Sequence, residues 1–385
     1  MPLDALLHER TEANRRFFTA EAERIARLCH RMAERFARGG RLIALGRSPA
    51  ARSDARHVAV EFVHPVIVGK RALPAIGVAG EGGPLDAQVA LLAGREDILL
   101  AFEEDAETFA AVAAGAAAGC LAVSLPAEWS PPSDDPFVRQ ELTETLYHLL
   151  WELVHVFFEH RGLLEGRDAR RVHDAGASSF LYPFLAEEET DLEAVIADVA
   201  RSVVLKAEEI GALREQTLGE NREVLAAAAR DLRTRLDAGG TLLALGNGGS
   251  ATDAMDVVAD FRAAPQGWPA RRAVDLTEDT AIITAVANDI GTEAIFSRQV
   301  IAYGREGDAL IALSTSGNSP SVIAALAEAR RRGLLTIACV GYGGGRVLAD
   351  ALADHVVVTR SEHVPRIQEA QASAYHVLRE LVERA

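Results

Sequence analysis

Along this chain, long stretches whose apolar residues recur every three or four positions alternate with short, wholly apolar runs that end in glycine or serine. The first pattern predicts amphipathic helices and the second buried strands. A long helix is predicted over residues 4–38, followed by the apolar run RLIALG, a loop and another helix. The same order returns with a long helix over 191–238, the run TLLALG, a loop and a helix over 251–261. Further strands are predicted at 272–276, 309–313, 335–340 and 355–358, with helices between most of them and a last helix at 367–384. The segment nearest to a membrane span, 110–126, is rich in alanine and glycine and reads as a buried helix followed by a strand. Short apolar strands alternating with helices specify an α/β fold, a parallel sheet covered by helices on both faces. Ligands of such sheets bind beyond the carboxyl ends of the strands.

The pattern is duplicated in its letters as well. RGGRLIALG at 38–46 matches AGGTLLALG at 238–246 in six of nine positions. QELTETLYHLLWELV at 140–154 matches QEAQASAYHVLRELV at 368–382 in eight of fifteen. Two domains are therefore expected, at 1–160 and 188–385, joined by a connector over 161–187 whose Gly, Pro and Asp content suits a linking segment.

A length of 385 residues, 49% of them hydrophobic, suffices for two or three domains with sizeable cores. The net charge of −16 removes the broad basic surface that a nucleic-acid binder needs. It leaves room for a small anion, since backbone N–H groups at a helix start bind one locally. Cys29, Cys120 and Cys339 lack the spacing of a disulfide framework or a zinc cluster. The N-terminal MPLDALLHERTEANRRFF has no signal-peptide core, and no long uncharged apolar run follows, so a cytoplasmic protein with no membrane partner is expected.

Two loops at strand ends carry the candidate chemistry. Gly246-Asn247-Gly248-Gly249-Ser250 follows TLLALG, and Ser314-Thr315-Ser316-Gly317-Asn318-Ser319 follows ALIALS; a helix begins after each. Glycines permit close backbone approach, helix starts offer N–H groups and partial positive charge, and the hydroxyls donate without adding net charge. One such loop reads as a tight turn with a capping serine. Two on successive strand ends of one sheet point to a phosphate. Neither is followed by the GK[ST] of a nucleotide-binding loop.

The segment GNGGSATDAMDVVADF, the pair Asn288-Asp289 in AVANDIGTEAIFSRQV, the loop LSTSGNSPSV and the terminal RIQEAQASAYHVLRELVE resemble the phosphoheptose isomerases, of the sugar isomerase (SIS) fold. The resemblance covers about residues 192–383, and through the repeat, 1–160 is similar to a second, diverged SIS domain. It implies two tandem SIS domains, each a doubly wound, flavodoxin-like parallel sheet. It also implies conversion of sedoheptulose 7-phosphate to an aldoheptose 7-phosphate, zinc or another divalent metal, and a homo-oligomer in which two tandem chains make a four-domain assembly. The implied sugar-phosphate contacts are Asn247, Gly248, Gly249, Ser250, Asn288, Asp289, Ser314, Thr315, Ser316, Ser319 and Gln368.

Aldose–ketose isomerisation needs a base beside the carbonyl, an acid to reprotonate the enediol, and stabilisation of the enediolate oxygen. In the family pattern the helix after the first loop carries His and, four residues on, Glu. The last helix carries Gln and, eight on, His. The second half has Asp256, Asp260, Gln368 and His376 at these positions, with Pro365 where an acid usually precedes the Gln. The first half has the full set, His57, Glu61, Gln140 and His148, but its loops read Gly46-Arg47-Ser48-Pro49-Ala50 and Glu103-Glu104-Asp105-Ala106-Glu107-Thr108. Carboxylates there would repel a phosphate. All eight residues are candidate metal ligands, with Asp260 or Glu61 as base and His376 as its acid/base partner.

Three arrangements stay open at this level. His57 and Glu61 complement Gln368 and His376 in a composite site, or the second half works alone through Asp260 and His376. In the third, the chain is a non-catalytic sugar-phosphate sensor or protein scaffold, since function lives in the site and not in the fold. Of the remaining features, His155, His160 and His173 read as surface residues and Glu187-Glu188-Glu189 as a helix start. The glycines around Tyr342 read as a loop, Arg262 as a solvated or phosphate-reaching residue, and Trp268 as packing at an interface.

Overall fold

The computed structural model describes residues 3–66, 70–159, 164, 191–265 and 267–384. The connector over 161–187 lies outside them apart from Leu164, as do His160, His173 and the Glu187–Glu189 run. The first half runs α1 (Leu3–Ala37), β1 (Leu42–Leu45), α2 (Pro49–Val63), β2 (Ala75–Val78), α3 (Leu85–Leu92), β3 (Ile98–Ala101), α4 (Ala106–Ala117), β4 (Leu121–Ser124), α5 (Leu125–Glu128) and α6 (Pro136–Glu159). The second runs α7 (Leu192–Glu220), α8 (Arg222–Asp237), β5 (Leu242–Leu245), α9 (Gly249–Arg262), β6 (Ala273–Asp275), α10 (Thr280–Asp289), α11 (Ser297–Tyr303) and β7 (Ala309–Ser314). It closes with α12 (Pro320–Arg331), β8 (Leu335–Val340), α13 (Gly345–Ala349), β9 (His355–Val358) and α14 (Val364–Arg384).

Among the described residues every strand pair is parallel. The orders are β2-β1-β3-β4 and β6-β5-β7-β8-β9, the second being the 2-1-3-4-5 order of flavodoxin-like sheets. Alternate residues of each strand enter opposite cores. Leu242, Ala244, Ile311, Leu313, Ile337 and Cys339 pack with α8, α9 and α14, while Leu243, Leu245, Leu310, Ala312, Ala338 and Val340 pack with α11 and α12. A strand buried on both faces must be apolar at every position, which is why these runs show no alternation in sequence. In the smaller sheet, Ile43, Leu45, Leu99 and Ala101 meet Leu85 and Val89 of α3 and Ala111 of α4.

The long helix expected over 191–238 is two helices, broken at Asn221. That side chain leaves the helix to pair with the edge strand β9. Its Nδ2 donates to Thr217 O at 2.7 Å and Val358 O at 3.0 Å, and its Oδ1 accepts from Val358 N at 3.0 Å. A buried strand edge needs such partners, and this one is satisfied by an interrupted helix.

Two compact units result. One comprises Met1–Thr11, Asp135–Glu141 and Ile210–Ala385, and the other Glu12–Asp134 and Leu142–Glu209. The unit built on the five-stranded sheet thus takes two segments from the first repeat. Among the described residues, no helix is long and apolar enough to cross a membrane.

Candidate functional site

In the five-stranded unit both loops predicted for phosphate leave the carboxyl ends of neighbouring strands, β5 and β7. A Cβ on Gly246 would collide with the Ser250 carbonyl, so glycine lets the first turn of α9 settle on the strand end. Asn247 Nδ2 donates to Ser321 Oγ at 3.0 Å and ties this loop to the start of α12. In the second loop Ser314 Oγ accepts from Gly317 N at 3.1 Å, and Ser316 Oγ accepts from Asn318 N at 3.2 Å. Asn318 Oδ1 accepts from Arg346 N at 2.9 Å, so the glycine-rich turn around Tyr342 buttresses the loop. Neither α9 nor α12 is capped by a side chain. Asn288 and Asp289 end α10, both exposed, with Asn288 Nδ2 donating to Asp289 Oδ1 at 2.7 Å.

The matching loops of the other unit spend their donors internally. Ser48 caps α2 by accepting from Ala51 N at 3.4 Å, and Asp105 caps α4 by accepting from Thr108 N at 2.6 Å. The Glu103 carboxylate accepts from the backbone N–H groups of Arg47 and Ser48, and Glu107 binds the Arg47 guanidinium and Leu85 N. An internal carboxylate takes the donors that an anion would use at this helix start.

The acid–base centre of the five-stranded unit is buried. His376 on α14 directs Nε2 toward Asp260 Oδ2 on α9, 3.5 Å away, and neither atom makes a hydrogen bond among the described residues. On the other side His376 Nδ1 lies 3.0 Å from Glu141 Oε1. Phe137 stacks on the imidazole with ring centroids 4.7 Å apart. Phe137 and Glu141 stand four residues apart on α6 and so share one helical face. Glu141 also accepts from Arg10 Nε at 2.9 Å and from Ser373 Oγ, and its backbone carbonyl accepts from Arg214 Nη2 at 3.3 Å. Arg10 continues to Glu380 Oε2 at 2.9 Å. Arg379 donates to Asp260 O at 3.0 Å, its guanidinium 4.6 Å from the Phe261 ring centroid and 4.9 Å from that of Trp268. Trp268 thus packs within this unit. Arg262 is exposed, and Gln368 is buried on α14.

Burial, with the Asp256 charge adding to it, pushes the Asp260 carboxyl well above the ordinary carboxylate range. Burial also lowers His376 despite its bond to Glu141. Burial alone would raise Glu141, but Arg10, His376 and Arg214 together bring it down to about 2. Burial therefore favours the protonated form of Asp260 and the neutral form of His376, while Glu141 is ionised. Sequence reasoning named Asp260 and His376 and missed Glu141, Phe137 and Arg10, which reach the site only through tertiary packing.

In the other unit His57 and Glu61 of α2 meet His148 of α6. His57 Nε2 lies 3.4 Å from His148 Nε2 and 3.9 Å from Glu61 Oε1, and the three residues offer ligand atoms within 4.8 Å of one another. Two nitrogens bound to zinc at about 2.0–2.1 Å with tetrahedral angles stand about 3.3 Å apart, so this buried set fits such an ion. Tyr147 OH pairs with His57 Nδ1 at 2.9 Å and orients the ring. Burial, and after it His148, holds His57 well below its ordinary pKa, in the neutral form that a ligand needs. Gln140, the fourth residue of the set, belongs to the Asp135–Glu141 segment of the five-stranded unit.

His155 corrects a sequence expectation: it is buried, not on the surface, with Nδ1 2.8 Å from Trp151 O and Nε2 3.0 Å from Arg71 O. Burial and the nearby Lys70 charge lower its pKa to about 4. The unfolded chain then takes up this proton first. Its contribution to stability is complete above about pH 6.5 and shrinks as the pH falls toward 4, by up to about 3 kcal/mol. Denaturant titrations at pH 7 and 4.5 should show the gap between wild type and H155Q narrowing at the lower pH. A constant gap would contradict this assignment.

A family profile described as the SIS domain matches residues 207–341. The phosphoheptose isomerase of Pelodictyon phaeoclathratiforme is 45% identical over 177 residues, which cover 45% of this chain and 82% of that protein. That of Desulfovibrio desulfuricans is 44% identical over 172 residues, 44% of this chain and 81% of that protein. The C-terminal domain of glucosamine-fructose-6-phosphate aminotransferase from Francisella tularensis shares the fold over 98% of this chain and 94% of its own, with a TM-score of 0.60 at 11% identity.

Proposed function

The chain belongs to the phosphoheptose isomerase family of SIS proteins, and on that premise we propose that it is an aldose–ketose isomerase acting on sedoheptulose 7-phosphate. The observation that carries this reading is the facing pair of buried, unbonded atoms, His376 Nε2 and Asp260 Oδ2, in the unit that keeps both hydroxyl loops. The loops bind the phosphate through backbone N–H groups and the hydroxyls of Ser250, Ser314, Thr315, Ser316 and Ser319, with Asn247, Gly248, Gly249, Asn288, Asp289 and Gln368 along the sugar.

The protons then balance. His376 Nε2 takes a proton from C1 of the ketose while the Asp260 carboxyl gives its own to the C2 carbonyl oxygen, forming the enediol. The Asp260 carboxylate next withdraws the proton from the C1 hydroxyl as the imidazolium protonates C2, and the aldose results. Asp260 is acid in one half-reaction and base in the other, and both groups end as they began. A divalent cation such as zinc would be held by His57, Glu61 and His148, a three-ligand set with an open position of the kind that supplies Lewis-acid chemistry.

The test is turnover of sedoheptulose 7-phosphate by the full chain, followed by NMR, with fructose 6-phosphate as comparator. Ser316→Ala should raise KM by about 10-fold, the worth of one hydrogen bond to a charged group, with kcat nearly unchanged. Glu103→Gln should leave both constants alone. Saturable binding of the sugar phosphate without product would instead support a non-catalytic regulator.

A further inference from the structure

We propose that Glu141 is a positioning residue for the proposed reaction, its carboxylate fixing the His376 imidazole in the Nδ1–H tautomer so that Nε2 faces Asp260 as a proton acceptor. This rests on the isomerase reading for its kinetic consequence, but not for the tautomer itself. The argument starts from the hydrogen between Glu141 Oε1 and His376 Nδ1, 3.0 Å apart. One Glu141 oxygen accepts from Arg10 Nε at 2.9 Å, and Arg214 Nε stands 3.9 Å from the other. A carboxylate between two guanidiniums that carry only donors is an acceptor. The shared hydrogen therefore sits on Nδ1, and a neutral imidazole with hydrogen on Nδ1 has its lone pair on Nε2.

The surroundings admit little else. Phe137 stacks against one face of the ring, which restricts rotation of the imidazole. Ser373, one turn before His376 on α14, donates to Glu141 and fixes the second carboxylate oxygen. Without the carboxylate the imidazole divides between two tautomers, and only the Nδ1–H form can take a proton from carbon through Nε2.

The test uses the full chain with ¹⁵N-labelled histidine and Glu141→Gln. The wild-type spectrum should assign His376 as Nδ1–H with a bare Nε2, a result that needs neither substrate nor variant. In E141Q the signal should become mixed or shift to Nε2–H, kcat should fall about 10–10³-fold and KM should change little. Glu141→Asp should restore part of kcat. An Nε2–H tautomer in the wild type overturns the proposal, as does a folded E141Q with unaltered kcat and tautomer. If the wild type turns over no sugar phosphate while His376 is Nδ1–H, the isomerase reading fails and the tautomer set by Glu141 stands. Should E141Q not fold, the wild-type spectrum still decides the tautomer.

Discussion

Asparagine in place of His376 is expected to lower turnover of the sugar phosphate by about 10²–10⁴-fold, the usual worth of a positioned acid–base group. The buried imidazole turns an unbonded Nε2 toward the buried Asp260 carboxyl, 3.5 Å away. Asparagine keeps a polar group near Nδ1 and can still pair with Glu141, but it offers no basic nitrogen toward Asp260. KM should therefore stay within a few-fold, because the phosphate loops are untouched. Asp260→Asn should act in the same direction, since an amide neither gives up nor takes back a proton. The double variant should be scarcely worse than either single one, as groups that pass one proton between them act as a unit. Steady-state kinetics on the three variants, with circular dichroism as a check on folding, decides the matter. A loss confined to KM would mean that His376 binds substrate without reacting.

Arg10→Met should be the costliest single change to stability outside the apolar cores, at about 3–5 kcal/mol. Arg10 is buried, bonded through Nε to Glu141 and through Nη2 to Glu380, each at 2.9 Å. Its removal leaves two buried carboxylates without their common counter-charge. Burial already raises Glu380 to about 6 against the pull of Arg10. Without the guanidinium that rise should continue, and Glu380 should become neutral. Methionine fills much the same volume, so the loss measures charge and not a cavity. Urea denaturation of the wild type and R10M at pH 7 gives the difference directly, and a value below about 0.5 kcal/mol would show the ion pairs to be incidental. Because Arg10 also orders Glu141, R10M should share part of the kcat defect of E141Q.

The sheets and the hydroxyl loops are legible in the sequence because they are written locally. Leu242–Leu245 and Ala309–Ser314 are apolar at nearly every position since both faces are covered, and Gly246 and Gly317 of the following loops stand where backbone approaches backbone. Asp260 and His376 are legible through the resemblance, whose motif gives their positions without their state of protonation. That state follows from burial and from the Asp256 charge. Glu141 is invisible to a local reading: it adjoins the candidate Gln140, yet its partner His376 is 235 residues away. Asn221 looks like one polar position in a helical run until the edge strand that it serves is seen. His155 is hidden from a local reading for a similar reason, since the Arg71 carbonyl beside its Nε2 lies 84 residues away. The acidic loop of the first half reads as hostile to phosphate, and in the structure Glu103 itself takes up the backbone donors of Arg47 and Ser48.

The central claim, proton transfer through an enediol at His376 and Asp260, is tested most directly by running the reaction in deuterium oxide. Sedoheptulose 7-phosphate is incubated with this chain supplemented with zinc, and C1 and C2 are followed by NMR beside the H376N variant. The account predicts an aldoheptose 7-phosphate carrying solvent deuterium at C2, with both product and label lost in H376N. Product formed equally well by H376N, or saturable binding with no product from the wild type, would contradict it.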